Sequence, residues 1–479
     1  MRESARLGRN FAAVATAQFV AQLLTFVLSA TIARTLGPSS YGLFVFGFAF
    51  PSLLLLMVSA GLDEVIAIDV AAEPSRAGSY LTIVAAFRLP LAVTAGVVLW
   101  ISLGVLLDDP FARNVTLVLG VSALIQAYGS TFLAFFRAFE KLQYMALVVL
   151  IERTFTIAVA VVLLWRGFGL FEVALTFLAG AGISLTLATT ILRRKFTWFS
   201  PSVDRPKARG ILRKTVPFAL GAVISTVIPS TGPVLLTISR GPVATGLFNA
   251  GLTLLMMVFS ILTLCHVVLL PTLARIRTTS PERFTSILQH TQRFVFALGL
   301  PAALGGALYA EQIVTLFFGG RFAGGGEPFR ILMGAVAIST ACIGNGAALA
   351  VSGRQPQNLY VGATGALCLV GLSFVLIPPF GPVGAAVAFL AGSAVTGTLG
   401  TIVTRRYVAR IDLLNALGRP ILAGSVMVLV LLLLGPPLWL GVPIGAVVYF
   451  GSLRAVGGFQ KGDWSMLRDA MRGALGRAG

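Results

Sequence analysis

The chain has 479 residues, 57% of them hydrophobic and only 11% charged, with a formal net charge of +19. A soluble protein of this length would need several cores and a much larger polar surface, so the composition points to a polytopic membrane protein. In a soluble chain the basic excess would suggest nucleic acid; here its distribution reads as membrane topology, and no nucleic-acid partner is expected.

Apolar runs long enough to cross a hydrocarbon core of about 30 Å recur along the whole chain. We read about fourteen spans, starting near Asn10, Gly42, Tyr80, Asn114, Tyr144, Phe171, Thr215, Ala244, Gln292, Pro328, Asn358, Ala385, Pro420 and Leu438. With the N-terminus on the cytoplasmic side, alternate connections carry 28 Lys and Arg. The opposite connections carry six (Arg34, Arg113, Arg166, Arg240, Arg321 and Arg330), and Arg88 and Arg153 fall inside spans. This bias puts the chain in the cytoplasmic membrane with both termini inside. The connections are short, with no outer one above about fifteen residues, which leaves no room for a soluble catalytic domain.

Two short signatures recur in order. Gly37-Pro38 with Gly42-Leu43-Phe44 returns 204 residues later as Gly241-Pro242 with Gly246-Leu247-Phe248. Phe168-Gly169, running to Phe177-Leu178-Ala179-Gly180, returns after 212 residues as Phe380-Gly381 and Phe389-Leu390-Ala391-Gly392. The nearly constant offset marks two related six-span halves, the plan of transporters whose pathway lies between repeats. The expected organisation is an N-terminal lobe over 1–192, a basic cytoplasmic connection over 193–214 and a second lobe over 215–404. A loop with two further spans follows over 405–455, then a cytoplasmic tail over 456–479. The connection holds eight basic residues against Asp204 alone. Its Phe196, Trp198 and Phe199 read either as an anchor on anionic membrane lipid or as part of a solvated loop. In the tail, Trp464, Leu467, Met471 and Leu475 form an apolar stripe at helical spacing, as in an interfacial helix.

The stretch Leu36-Gly37-Pro38-Ser39-Ser40-Tyr41-Gly42, a second span with Pro51 and Gly61, and the phrase Phe380-Gly381-Pro382-Val383-Gly384-Ala385-Ala386 together resemble the polysaccharide flippases. These belong to the multidrug/oligosaccharidyl-lipid/polysaccharide exporter superfamily. The resemblance implies an all-α fold of two six-helix lobes around a central cavity, plus a C-terminal helix pair. It also implies movement of undecaprenyl-diphosphate-linked oligosaccharide to the outer leaflet, with polysaccharide polymerase or assembly proteins as partners. One departure stands out: where such proteins often carry a basic residue after the second span, this chain has Asp63, Glu64 and Asp69.

Flipping a lipid-linked sugar breaks no bond, so no catalytic residue is expected. Cys265, Cys342, Cys368, His266 and His290 form no metal-ligand or triad pattern. No cofactor is expected either, beyond coupling to H+ or Na+. An anionic diphosphate calls for buried cations, and an ionisable group at membrane depth costs about 2.5 to 3.5 kcal/mol on insertion scales. Arg88, beside Pro90 in the third span, and Arg153 are therefore cavity candidates; the alternative for Arg88 is snorkelling to cytoplasmic head groups. Glu152 and Arg153, adjacent on a helix and about 100° apart, are not expected to pair directly. Glu152, Asp63 and Glu64 are candidates for ion coupling. Gln18, Gln22, Thr25 and Ser29 form a polar stripe on the first span, and Ser122, Gln126 and Ser130 repeat it on the fourth; both suit a cavity wall or helix-to-helix hydrogen bonding. Pro217, Pro229 and Pro233 are expected to interrupt the seventh span, with Pro229 and Pro233 as a gate. A drug or cation antiporter of the same superfamily is the alternative function. A lipid-linked sugar polymerase or ligase, which would need a large outer loop, is the third reading.

Overall fold

The computed structural model describes residues 2–59, 61–196, 205–279, 281–409 and 413–458. The tail stripe, Trp198 and Phe199 lie outside them. Apart from two short 3-10 turns, the secondary structure of the described residues is α-helical, with no strand. By contact the chain forms two compact units, one of residues 13–249 and one of residues 250–479 with 1–12.

The first unit begins with α1 (Arg2–Ser59), a pair of helices meeting at Gly37, whose φ of 83° no β-carbon-bearing residue readily adopts. It continues through α2 (Leu62–Ala72), α3 (Ala77–Leu106), α4 (Pro110–Ala138), α5 (Leu142–Trp165), α6 (Leu170–Lys195) and α7 (Arg205–Arg240). Local chemistry sets the starts. The Asp109 carboxylate accepts hydrogen bonds from Phe111 and Ala112 N–H ahead of α4, with Pro110 as its first residue. The Gly169 N–H donates to the Glu172 carboxylate, 3.0 Å away, at the start of α6. α4 packs along α6 and against α2, α3 and α5. At one end of these helices Ile66, Leu81, Phe132, Phe135, Phe136 and Leu192 form a fully or nearly fully buried core. Phe196 packs there too, stacked on Phe139 at 5.2 Å and edge-on to Tyr144. Phe196 is half-buried in this aromatic cluster of α4 and α5.

The second unit contains most of α8 (Pro242–Thr279), then α9 (Pro281–Leu308), α10 (Ala310–Phe318), α11 (Gly326–Ala341), α12 (Asn345–Val351) and α13 (Gln355–Tyr407). α10 is bent 82° from α9. α13 comprises two helices joined at Gly381, φ 56°. Among the described residues, eleven helices are individually long and apolar enough to cross a membrane. Two of these, Gln22–Leu56 and Gln355–Tyr407, contain the breaks at Gly37 and Gly381 and so each holds two of the expected spans.

The sequence left open what the final two spans cover. α14 (Leu413–Leu434) and α15 (Leu438–Ala455) form a hairpin laid against α9. Ala423, Met427 and Leu431 of α14 and Tyr449 and Leu453 of α15 share one core with Ala297 of α9 and Tyr309. Tyr309 donates its hydroxyl to the Pro436 carbonyl, 3.1 Å away, and lies so close to Gly441 that an added β-carbon would overlap its hydroxyl oxygen. Gly441→Val should therefore lower the detergent-solubilised protein's stability by about 1–3 kcal/mol through overpacking. A thermal melt unchanged by the substitution would contradict this docking.

Candidate functional site

The two copies of the Gly-Pro signature meet in the first unit. α7 ends at Arg240 and α8 starts at Pro242, with Gly241 at φ 82°, the same left-handed turn as Gly37. A β-carbon on Gly42 would overlap the Pro242 carbonyl oxygen, and one on Gly246 would overlap that of Pro38. The contact is reciprocal, glycine against the proline carbonyl of the other copy, as small residues permit between membrane helices. Asn249 adds a hydrogen bond from its amide to the Tyr41 hydroxyl at 3.2 Å. Arg34 and Arg240, just ahead of the two turns, are exposed. Further along, the Ser52 and Ser230 hydroxyls lie 3.0 Å apart and bridge α1 to α7.

Pro229 and Pro233 flank Ser230, but α7 runs unbroken from Arg205 to Arg240. The expected interruption is therefore corrected. Neighbouring hydroxyls supply hydrogen bonds through this stretch, Thr231 to the Val227 carbonyl at 2.7 Å and Thr237 to that of Pro233 at 3.0 Å.

The helix that does break is the second span. α1 ends at Ser59 and α2 starts at Leu62, with Gly61 at φ 74° between them. α7 crosses here so closely that a β-carbon on Gly61 would come within 2.9 Å of the Ala219 nitrogen. The break presents the acidic helix α2 to its neighbours, and each carboxylate finds a cation. Asp63 Oδ1 is 2.8 Å from Arg88 Nη2, Glu64 is 2.8 Å from Arg137, and Asp69 is 2.8 Å from Lys214 of α7. Asp69 also accepts the Tyr80 hydroxyl at 2.9 Å.

Arg88 is the most enclosed of these groups, with 0% exposure against 22% for the Asp63 side chain. Its Nη1 donates to the Ala127 carbonyl at 3.2 Å, to Ser130 Oγ at 3.3 Å and to Thr131 Oγ1. Ser130 in turn donates to Asp63 Oδ2 at 2.7 Å. The guanidinium is thus held by α2 and α4 inside the bundle, and it does not reach outward as a snorkelling arginine would. α3 continues as helix through Pro90.

Glu152 and Arg153 approach each other at 3.5 Å, Nε to Oε2, which corrects the expectation that they would not pair. A long arginine stem can curl back along its own helix when burial leaves the carboxylate little else. Glu152 is 5% exposed, and its Oε1 has no hydrogen-bond partner among the described residues. One turn on, Thr156 packs under Gly180 of α6, where a β-carbon would overlap its hydroxyl. Gly180 closes the second signature, and its counterpart Gly392 likewise sits where a β-carbon would lie 2.9 Å from Leu369 Cβ.

Gln22 and Gln126 are half-buried, while the side chain of Gln18 lies outside the described residues. Ser122 bonds back to the Leu119 carbonyl of its own helix. Ser130, from the same stripe, joins the Arg88 cluster. The structure thus brings Arg88, Asp63 and Ser130 together and keeps Glu64 and Glu152–Arg153 in separate pairs. Sequence reasoning missed Thr131, Lys214 and Tyr80, whose roles depend on helix crossings that no local spacing reveals.

These features define a multi-pass membrane protein that is helical throughout the described residues. The sequence profile of the polysaccharide biosynthesis protein family matches residues 7–277, and the chain belongs to that family. No curated protein sequence matches it. Among solved structures, the inward closed conformation of the lipid II flippase MurJ is similar at a TM-score of 0.74 and 13% identity, covering 91% of this chain and 97% of that one. An inward-facing multidrug resistance MATE transporter of the MOP superfamily is similar at 0.63 and 18% identity, covering 81% and 94%. A MOP superfamily transporter from Pyrococcus furiosus is similar at 0.55 and 15% identity, covering 84% and 96%.

Removing one member of a buried ion pair leaves an uncompensated charge and typically costs about 3–5 kcal/mol. Arg88→Ala and Asp63→Ala should each destabilise strongly. In a double-mutant cycle the pair should couple by about 1 kcal/mol or more, read from thermal melts of the purified protein. Additive losses would mean that the pair contributes nothing of its own.

Proposed function

We propose that the protein is a flippase that carries a polyprenyl-diphosphate-linked oligosaccharide from the cytoplasmic to the outer leaflet of the cytoplasmic membrane. It works by alternating access, performs no chemistry on its cargo and serves cell-surface polysaccharide synthesis. The observation that carries this reading is Arg88, a fully buried cation whose fork is occupied by a carboxylate and hydroxyls at hydrogen-bonding distance. A phosphate offers anionic acceptor oxygens that could take the place of the Asp63 carboxylate on the guanidinium. Loading then consists of exchanging Asp63 for a diphosphate oxygen. A proton reaching Asp63 would favour that exchange by weakening its ion pair, and one reaching the buried Glu152 would free Arg153 in the same way. Arg153, Gln18, Gln22 and Gln126 would line the path of the head group, with Glu64 as a further coupling candidate.

With both termini cytoplasmic, the reciprocal Gly-Pro contact falls at the outer face and holds that side shut. Opening it requires the stretch beginning at Pro38 to part from that beginning at Pro242. The bending of α7 about Pro229 and Pro233 is the motion that would achieve this. A polymerase or other assembly protein would receive the product.

In cells lacking the protein, lipid-linked sugar should accumulate on the cytoplasmic leaflet. Arg153→Ala should fail to restore export while still reaching the membrane, and Arg88→Ala should fail as well, with its loss of stability contributing. Arg88→Lys should restore less than wild type, since an ammonium cannot form the bidentate fork. Normal export with both arginines replaced would refute the cavity assignment. Gly42→Leu should hold the two signatures apart, reducing export severalfold without loss of membrane insertion; export at the wild-type rate would show that this contact need not close.

A further inference from the structure

The two ends of α13 lie side by side, and the second unit gathers arginines there. From the joint at Gly381 the halves of α13 run back together in register. A β-carbon on Gly392 would lie 2.9 Å from Leu369 Cβ, one on Gly365 would overlap the Thr396 hydroxyl, and one on Gly400 would touch Val361 at 3.6 Å. Each contact lies four residues further from Gly381 along both halves than the one before. The same step leads to Gln357 and Thr404, and the last turn brings the Arg354 guanidinium over the Tyr407 ring, 5.0 Å from its centre.

Arg406 lies over the same ring at 5.6 Å. A third guanidinium, that of Arg277 near the end of α8, donates to Ser352 Oγ, two residues before Arg354. One apolar core of Leu273, Phe284, Leu288, Ala347 and Ala348, with Val408 packed on it, holds these segments together. No carboxylate of the described residues pairs with Arg277, Arg354 or Arg406. Two guanidiniums on one exposed ring stand within about a Debye length of each other, so their repulsion is only partly screened. The carboxyl end of α13 offsets about half an elementary charge, while Arg405 adds a further cation. The cluster calls for an anion. One turn deeper, Thr404 Oγ1 and Gln357 Oε1 are enclosed and have no hydrogen-bond partner among the described residues. Hydrocarbon does not tolerate such groups, so this end lies at the depth of hydrated head groups and not of acyl chains.

We propose that Arg354 and Arg406, framed by Tyr407, bind the phosphate of an anionic phospholipid. Planar guanidinium forks suit phosphate oxygens, and an exposed tyrosine suits the boundary between head group and acyl chain. Arg277, held on Ser352, adds its charge to the same end. The charge bias of the connections makes this end cytoplasmic, where the leaflet is rich in anionic lipid. The competing occupants are a free phosphate ion and a carboxylate of the chain itself.

The test melts the purified full-length protein in detergent with added phosphatidylglycerol, phosphatidylcholine or inorganic phosphate at equal ionic strength. Phosphatidylglycerol alone should raise the melting temperature saturably, by about 3 °C at concentrations well above its dissociation constant. Replacing Arg354→Gln and Arg406→Gln together should abolish that rise. Replacing Arg193→Gln and Arg194→Gln together, which removes the same charge from the exposed end of α6, should leave it intact. An equal rise with phosphatidylcholine or inorganic phosphate overturns the lipid assignment. The absence of any rise overturns it too, and leaves a carboxylate of the chain as the partner of these arginines. A rise that survives in the first variant, or is lost equally in the second, overturns the placement. The readout is lipid binding to purified protein, so it is independent of whether the protein flips a lipid.

Discussion

Hydrocarbon offers no hydrogen-bond partner, and the structure answers that constraint at every level. Hydroxyl groups within spans turn back to their own helices, as Thr82 does to the Gly78 carbonyl, Thr340 to that of Val336 and Thr401 to that of Gly397. Charges cannot be hidden that way, and Arg88 shows the alternative. A single guanidinium gathers a carboxylate, two hydroxyls and a carbonyl from two other helices. The positions of α2, α3 and α4 are set as much by this cluster as by the phenylalanines packed beside it.

The short helix α2 therefore acts as a hub. Its three carboxylates bind cations on α3, α4 and α7, but the three contacts differ in weight. The Arg137 and Lys214 pairs are substantially exposed, and such pairs contribute about 0–1 kcal/mol each. The Arg88 pair is enclosed and cannot be opened without replacing what it loses. The three ties on α2 thus grade from peripheral ones that part readily to a central one that does not.

Much of the architecture was legible in the sequence because hydropathy, charge bias and glycine-proline turns are local signals. Helix breaks at Gly37, Gly241 and Gly381 fall where the signatures put them, and Arg88 stood out because a cation in an apolar run is conspicuous. The partners of that cation were not legible. Asp63 looked like a departure from the family pattern, and only the break at Gly61 explains how its side chain turns to meet Arg88. Proline misled in α7, where a glycine rather than a proline marks the true interruption on the neighbouring span. The Glu152–Arg153 approach was missed because spacing rules describe ideal side-chain directions, whereas a buried carboxylate draws in whatever cation can bend to it.

The reciprocal seat of Gly42 and Gly246 also bears on how the duplication can still be read. Each glycine makes room for a backbone carbonyl of the other copy, so neither position can gain a side chain while the other half stays as it is. The two signatures are bound to each other by shape, and a change in one is rejected by its twin. Elsewhere the halves were free to diverge into an acidic hub on one side and a basic cluster on the other. For the first signature, the trace of common origin lies where its two copies still touch.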